Sequence, residues 1–227
     1  MQFVPIKARA MDGVLLDACG DPVTGAASYF AISNGAGGTG NFIRASLTPD
    51  YFTPADIVGE NGAGKRYINV KGTPQLQGYR VQLELAGLTP AIEAGLLGDS
   101  VLKSDGTAPT VATGVKFGQR ATDSPGWAFR FYQDVDSSVC GGSGIPSVVH
   151  WLARVDNWQK SGDFTLSNGL NVKLLEGYAT TNAAFEDGPF GDVATAFTDD
   201  EIYAYDLAYD VTDPTDTAGE LVAWPIV

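Results

Sequence analysis

The sequence predicts a mainly β protein: an antiparallel β-sandwich or partly open barrel, with one short flanking helix (about 89–97) and a long glycine-rich loop (about 35–66). Three observations lead there. Several segments alternate apolar and polar residues with a period of two, the pattern of a strand with one buried face. Only one segment carries a matched helix start and stop. The 28 glycines among 227 residues suit turns more than long helices. A chain of this length can form a single all-β domain, here 1–227 with an acidic C-terminal segment, 176–227.

Taken along the chain, Val14–Ala18 and Tyr29–Ser33 read as strands. Between Gly35 and Arg66 the pattern fails, because glycines, Pro49 and Pro54 break any period. A loop of about 30 residues is uncommon in a compact domain and tends to be functional. Tyr67–Val70 reads as a strand. In Tyr79–Ala86, Tyr79, Val81, Leu83 and Leu85 point one way and Arg80, Gln82 and Glu84 the other. The helix follows: Thr89 offers a hydroxyl as N-cap, Pro90 suits the first helical position, Ile92 and Leu96 share a face, and Gly98 supplies a left-handed stop. Its two apolar residues suit a plug at one end of the sheet. Trp127–Tyr132 is an aromatic strand. Val148–Val155 should place Val149, Trp151, Ala153 and Val155 on one face. Asn168-Gly169, between Phe164–Ser167 and Leu170–Leu175, is a strong hairpin signal, since both residues tolerate positive φ. Tyr203–Val211 alternates an aromatic face with an acidic or small one.

The charge is uneven. The net of −13 sits almost wholly in the last quarter, where twelve acids and no base follow Lys173. Such a surface repels phosphates, so binding of nucleic acid through backbone contacts is not expected. Two cysteines, Cys19 and Cys140, cannot make a disulfide framework and read as reduced thiols. The N-terminus has no apolar signal core, and no stretch approaches the ~20 apolar residues of a membrane span. The expectation is a soluble chain made and used without export, with no membrane contact.

Motifs of chemistry do not close. Gly59–Lys65 satisfies most of a phosphate loop, but position 66 is Arg where Ser or Thr should hold magnesium, and a strand follows where a helix is required. Gly35–Gly40 matches GxGxxG, again with no helix after it. His150, the one histidine, sits in a strand with no nucleophile beside it. Two cysteines and one histidine cannot complete a zinc site. Asp206, Asp210, Asp213 and Asp216 offer oxygens to calcium without the spacing of a calcium loop. Asp134 and Asp136, beside Trp127, Tyr132 and Trp151, are the nearest thing to a glycosidase site, with no preferred carboxylate couple. No cofactor, metal or enzymatic activity is expected.

One resemblance organises these pieces. Leu15–Val23, Glu60-Asn61-Gly62-Ala63-Gly64-Lys65, Leu76–Pro90 with Leu96-Leu97-Gly98, Trp127–Tyr132, Cys140, Gly162–Gly169 and Asn182–Phe190 follow one another as in the major tail proteins, the tail tube subunits, of long-tailed actinobacteriophages. The chain resembles that family over roughly 14–191; Phe185 and Phe190 replace an expected tryptophan and tyrosine, and nothing after Phe197 has a counterpart. The resemblance implies a non-enzymatic virion protein, assembled in the host cytoplasm. Its rings, hexameric as the resemblance implies, stack into a tube around a tape-measure protein, meet tail-end proteins, and later conduct DNA in transit without specific binding. It implies a loop reaching the next ring, for which Gly37, Phe42, Tyr51, Phe52, Asn61, Gly64 and Lys65 are the candidates. It also makes Asp206, Asp210, Asp213 and Asp216 candidates for an acidic lumen or surface that keeps DNA from sticking. Deleting 37–56 should then block polymerisation and spare the monomer. The alternatives are another virion β-sandwich, such as a tail terminator or decoration protein, or a carbohydrate-binding module with exposed Trp127, Trp151, Trp158 or Trp224.

Overall fold

The structure is a computed structural model of the full chain. It describes residues 5–34, 38, 41–60, 63–64, 66–103, 112–118, 125–135, 147–161, 172–186, 188–191, 196–208, 214–218 and 220–224. The chain runs through β1 (Pro5–Leu15), β2 (Gly25–Ser33), β3 (Phe42–Phe52), β4 (Ile57–Glu60), β5 (Arg66–Val70), β6 (Gln75–Ala86), α1 (Pro90–Leu97), β7 (Ser100–Lys103), β8 (Ala112–Lys116), β9 (Trp127–Val135), β10 (Ser147–Lys160), β11 (Val172–Thr180), β12 (Tyr203–Ala208) and β13 (Val222–Trp224). Nine strands form one antiparallel sheet in the order β13-β2-β1-β9-β10-β11-β6-β3, with β12 on β10; β4–β5 and β7–β8 are separate hairpins. The mainly β reading with one short helix holds.

The expected long loop does not. Its central stretch is β3, eleven residues paired with β6 from Phe42↔Leu85 to Phe52↔Gln75, and β4 follows. Pro49 disguised it. A proline cannot donate to a ladder, but β3 is an edge strand, where one side needs no donor. Phe42 is 4% exposed and belongs to the main core, so it is no loop residue. Deleting 37–56 would remove a core strand, and that deletion cannot spare the monomer.

The sheet rolls until β3 returns beside β1, and Asn34 closes the gap. Its N–H donates to the Arg9 carbonyl at 2.7 Å. Its Nδ2 donates to the carbonyls of Ala8 at 3.1 Å and Phe42 at 2.5 Å, and its Oδ1 accepts the Phe42 N–H at 3.2 Å. One side chain therefore does the work of a ladder between two strands that never pair directly. Inside the roll lie Met11, Phe30, Val81, Leu83, Leu85, Phe129, Leu152 and Trp158. A second cluster, with Tyr132, Val149, Trp151, Phe185 and Phe197, buries the other face of β1, β9 and β10.

β10 serves both cores by changing face. Val149, Trp151 and Ala153 sit in the second cluster as the alternation requires, but Val155 sits in the first. The register against β9 shifts between Leu152 and Val155, and the register against β11 shifts between Asp156 and Gln159, with Asn157 at φ 55°. A bulge adds a residue and flips the sides that follow. The first half of β10 pairs with β12 and the second with β11.

α1 plugs the roll with Ile92, Leu96 and Leu97. Gly98 ends it at φ 65°, as the sequence indicates, but the Thr89 hydroxyl makes no cap bond; the Thr89 carbonyl accepts the Glu93 N–H at 3.0 Å instead. The buried Glu93 carboxylate takes Lys160 Nζ at 2.6 Å and Lys173 Nζ at 2.9 Å, tying the helix to β10 and β11. The predicted hairpin at Asn168-Gly169 lies outside the described residues; the Ser161 N–H bond to the Leu174 carbonyl, 2.9 Å, begins the β10–β11 pairing there.

Asn34→Ala should lower stability by about 1–3 kcal/mol, because two main-chain carbonyls and one N–H lose their partner together. Asn34→Asp should not rescue it, since a carboxylate cannot donate. Urea unfolding measures this; midpoints unchanged from the parent would show that the seam is dispensable.

Candidate interaction surface

β3 and β6 outrun the rest of the sheet. β6 pairs with β11 only as far as Tyr79↔Ala179, whereas its pairing with β3 continues to Gln75↔Phe52. Gly78 marks the departure: a Cβ there would stand 2.5 Å from the Ala179 carbonyl oxygen, so only glycine fits against the end of β11 at that point. Asp50 braces the branch, accepting the Tyr178 hydroxyl at 3.3 Å and facing Arg80 at 3.9 Å. Beyond it the chain continues into β4 and β5, with Ile57↔Val70 and Gly59↔Ile68 in register. Asp56 Oδ1 accepts the Gly72 N–H at 3.0 Å, and a Cβ on Gly72 would collide with the Pro54 carbonyl, so the base of the hairpin is pinched shut.

The ribbon that results is apolar and uncovered. Tyr51 is 58% exposed, Phe52 51%, Ile57 65% and Val70 56%, and Val58, Ile68 and Leu76 are exposed as well. Cross-strand partners share a face, so Ile57, Ile68 and Val70 form one apolar face. No described residue of 53–78 belongs to either core cluster. A two-stranded ribbon in water is marginal on its own, and a contiguous exposed apolar patch marks an interaction site. From Ile57 to Lys71 the sequence holds Lys65, Arg66 and Lys71 against one acid, Glu60.

Of the residues singled out by sequence, Tyr51 and Phe52 open the ribbon, and Gly64, at φ 73°, lies in its turn. Gly37, Asn61 and Lys65 lie outside the described residues. The phosphate-loop-like stretch is the β4–β5 turn, and a strand follows it, as read from the sequence. The sequence missed Ile57, Ile68 and Val70 because their alternation spans too few residues to register. Their exposure depends on the hairpin having no sheet beneath it.

The acids divide. Asp206 is exposed on β12. Asp216 is structural: its Oδ2 accepts the Ser33 N–H at 3.0 Å and its Oδ1 the Ala218 N–H at 2.7 Å, which fastens the C-terminal segment along β2. Asp210 and Asp213 lie outside the described residues, as do Asp136 and Cys140; Cys19 is a free, exposed thiol. Among the described residues no three His, Cys, Asp or Glu side chains gather for a metal, and no helix is long and apolar enough to cross a membrane. Trp127, Trp151 and Trp158 are buried, and Trp224 packs on Tyr29 and Phe190. No exposed tryptophan platform for a sugar results.

A second feature lies at the other end of β3. A cavity of about 140 Å³, open to solvent, is lined by Phe42, Ala45, Leu47, Phe131, His150 and Tyr203. His150 Nδ1 shares a hydrogen bond of 2.7 Å with the Tyr203 hydroxyl, and Tyr205, 64% exposed, leans on both rings. Burial lowers the His150 pKa below 6.5 and raises that of Tyr203 to about 12, so both are neutral near pH 7. The sequence matches no known family model and no curated protein.

The cavity histidine has a pH signature. The folded chain binds its proton less readily than the unfolded chain, so stability is full above pH 6.5 and falls as pH drops through 6.5 toward the lowered folded value. Denaturant unfolding between pH 7.5 and 5.5 should show this slope, and His150→Gln should flatten it. Equal slopes in both proteins would show that His150 is not the group responsible.

Proposed function

We propose that this chain is a self-assembling structural subunit, stacking head to tail into a hollow tube that serves as the tail tube of a long-tailed phage. The observation that carries the proposal is the uncovered ribbon. A folded monomer with two filled cores nonetheless projects Tyr51, Phe52, Ile57, Ile68 and Val70 into water. Such a surface gains from burial at about 25 cal/mol per Å² of apolar area removed from water. The order of motifs shared with tail tube subunits supports the same reading, and so does the position of the ribbon, within the segment expected to reach a neighbouring ring. A contact between different patches on successive copies does not close on itself and builds a filament. In the tube, the tape-measure protein would occupy the lumen during assembly and DNA would pass later. A wall carrying the net negative charge of the chain would repel phosphates and let the genome slide.

Negative-stain electron microscopy over a concentration and salt series should show hollow tubes of uniform width or stacked rings. Replacing residues 57–70 by a short glycine linker should abolish them while leaving cooperative unfolding intact, because no described residue of the hairpin belongs to either core. Tubes that persist in this variant, or discrete particles for the parent under all conditions, would contradict the proposal.

A further inference from the structure

We infer that the cavity beside His150 and Tyr203 is the receptor for the ribbon of a second copy, with the ring of Tyr51 as the side chain that enters it. The inference rests on the head-to-tail reading above and names its two contact surfaces.

Size is the first argument. A cavity of about 140 Å³ with Phe42, Ala45, Leu47 and Phe131 in its wall suits one aromatic ring; an apolar cavity of ~150 Å³ is known to accept benzene. Its polar lining, His150, Tyr203 and Gln133, offers hydrogen-bond partners to a phenol and none to an aliphatic side chain. Among the exposed large aromatics, Phe117 already carries Lys160 Nζ at 3.7 Å from its ring and Tyr205 lies on His150 and Tyr203. Tyr51 is the exposed phenol that projects from the ribbon.

Geometry is the second. Both surfaces stand on β3, the cavity at its Phe42–Leu47 end and the ribbon beyond Phe52. Tyr51, where the ribbon opens, lies four residues past Leu47, a span of about 13 Å for extended chain at ~3.3 Å per residue. A ribbon directed away from its own cavity cannot fill it. It fills that of the next copy, and the register repeats along β3.

Charge is the third. The turn leading into Tyr203 carries Asp199, Asp200 and Glu201, all exposed. No base follows Lys173 in the sequence. The ribbon brings exposed Lys71, with Lys65 and Arg66 in its sequence. Complementary rims steer encounter and set orientation, while the inserted ring supplies the buried area.

Two variants divide the contact. Tyr51→Ser removes the knob and leaves the cavity; Ala45→Trp fills the cavity and leaves the knob. Where Ala45→Trp unfolds, Asp199→Lys with Asp200→Lys replaces it. Each should weaken association at least tenfold in sedimentation velocity. An equimolar mixture should form a particle of twice the mass of either variant's own species and no larger, because one knob and one cavity remain between them. If either variant alone assembles like the parent, or the mixture does not double, the inference is wrong even where the parent makes tubes. If the mixture doubles and the parent makes no tubes, the contact stands and the tube reading falls. Flotation of the parent with phosphatidylcholine vesicles, lost in Tyr51→Ser with self-association unchanged, would assign the ribbon to a membrane and overturn the inference.

Discussion

Unpaired main-chain groups along a strand edge need partners, and how this sheet meets that need decides which parts of the chain are committed to the monomer. At one end the C-terminal segment lies along β2, with Asp216 accepting from the Ser33 N–H and the Thr217 hydroxyl bonding the Ala31 N–H and carbonyl where a full ladder is lacking. At the other end β3 is turned back toward β1 and held by Asn34. Once both edges are occupied, the β3–β6 ribbon with its β4–β5 extension is left apolar and uncovered. The same rolling that fills the core leaves the space between β3 and β12 incompletely filled, and this becomes the cavity. Ribbon and receptor are thus two consequences of one closure.

Electrostatics follows the same division. The buried charges are paired within the monomer: Asp12 with Arg130 at 2.6 Å, Glu93 with two lysines. Arg130 also lies beneath the Phe190 ring at 4.3 Å, binding the segment after β11 to the sheet. Removing one member of such a pair leaves an uncompensated charge and costs several kcal/mol. Those groups are therefore structural. Among the described residues, the acids of 199–206 meet no comparable cations, and their charge remains available to a partner.

Much of the fold was legible because it obeys short-range rules. β6 alternates cleanly since β11 and β3 flank it and only one of its faces is in the core. α1 announces itself through Pro90 and Gly98. Where sequence reasoning failed, a long-range condition had overridden a local one. β3 hides behind Pro49, which only an edge position tolerates. Val155 breaks period because the register shift against β9 between Leu152 and Val155 hands β10 from one core to the other. The Asn34 seam has no sequence signature at all, since an asparagine before a glycine reads as a turn. The interaction surface was half legible: Tyr51 and Phe52 fall in the stretch marked as functional, while Phe42 in the same stretch is core. His150 read as a plain strand residue, and its place in a cavity depends on β12, which arrives from 53 residues further along.

The central claim is that the ribbon is the part of the fold reserved for another copy of the chain. Electron cryomicroscopy of the assembled particle tests it most directly. The account predicts density for residues 51–70 packed on a neighbouring subunit beside β12, with Tyr51 seated near His150. A particle whose ribbons lie free on its surface, with the cavity of every subunit open, would contradict it.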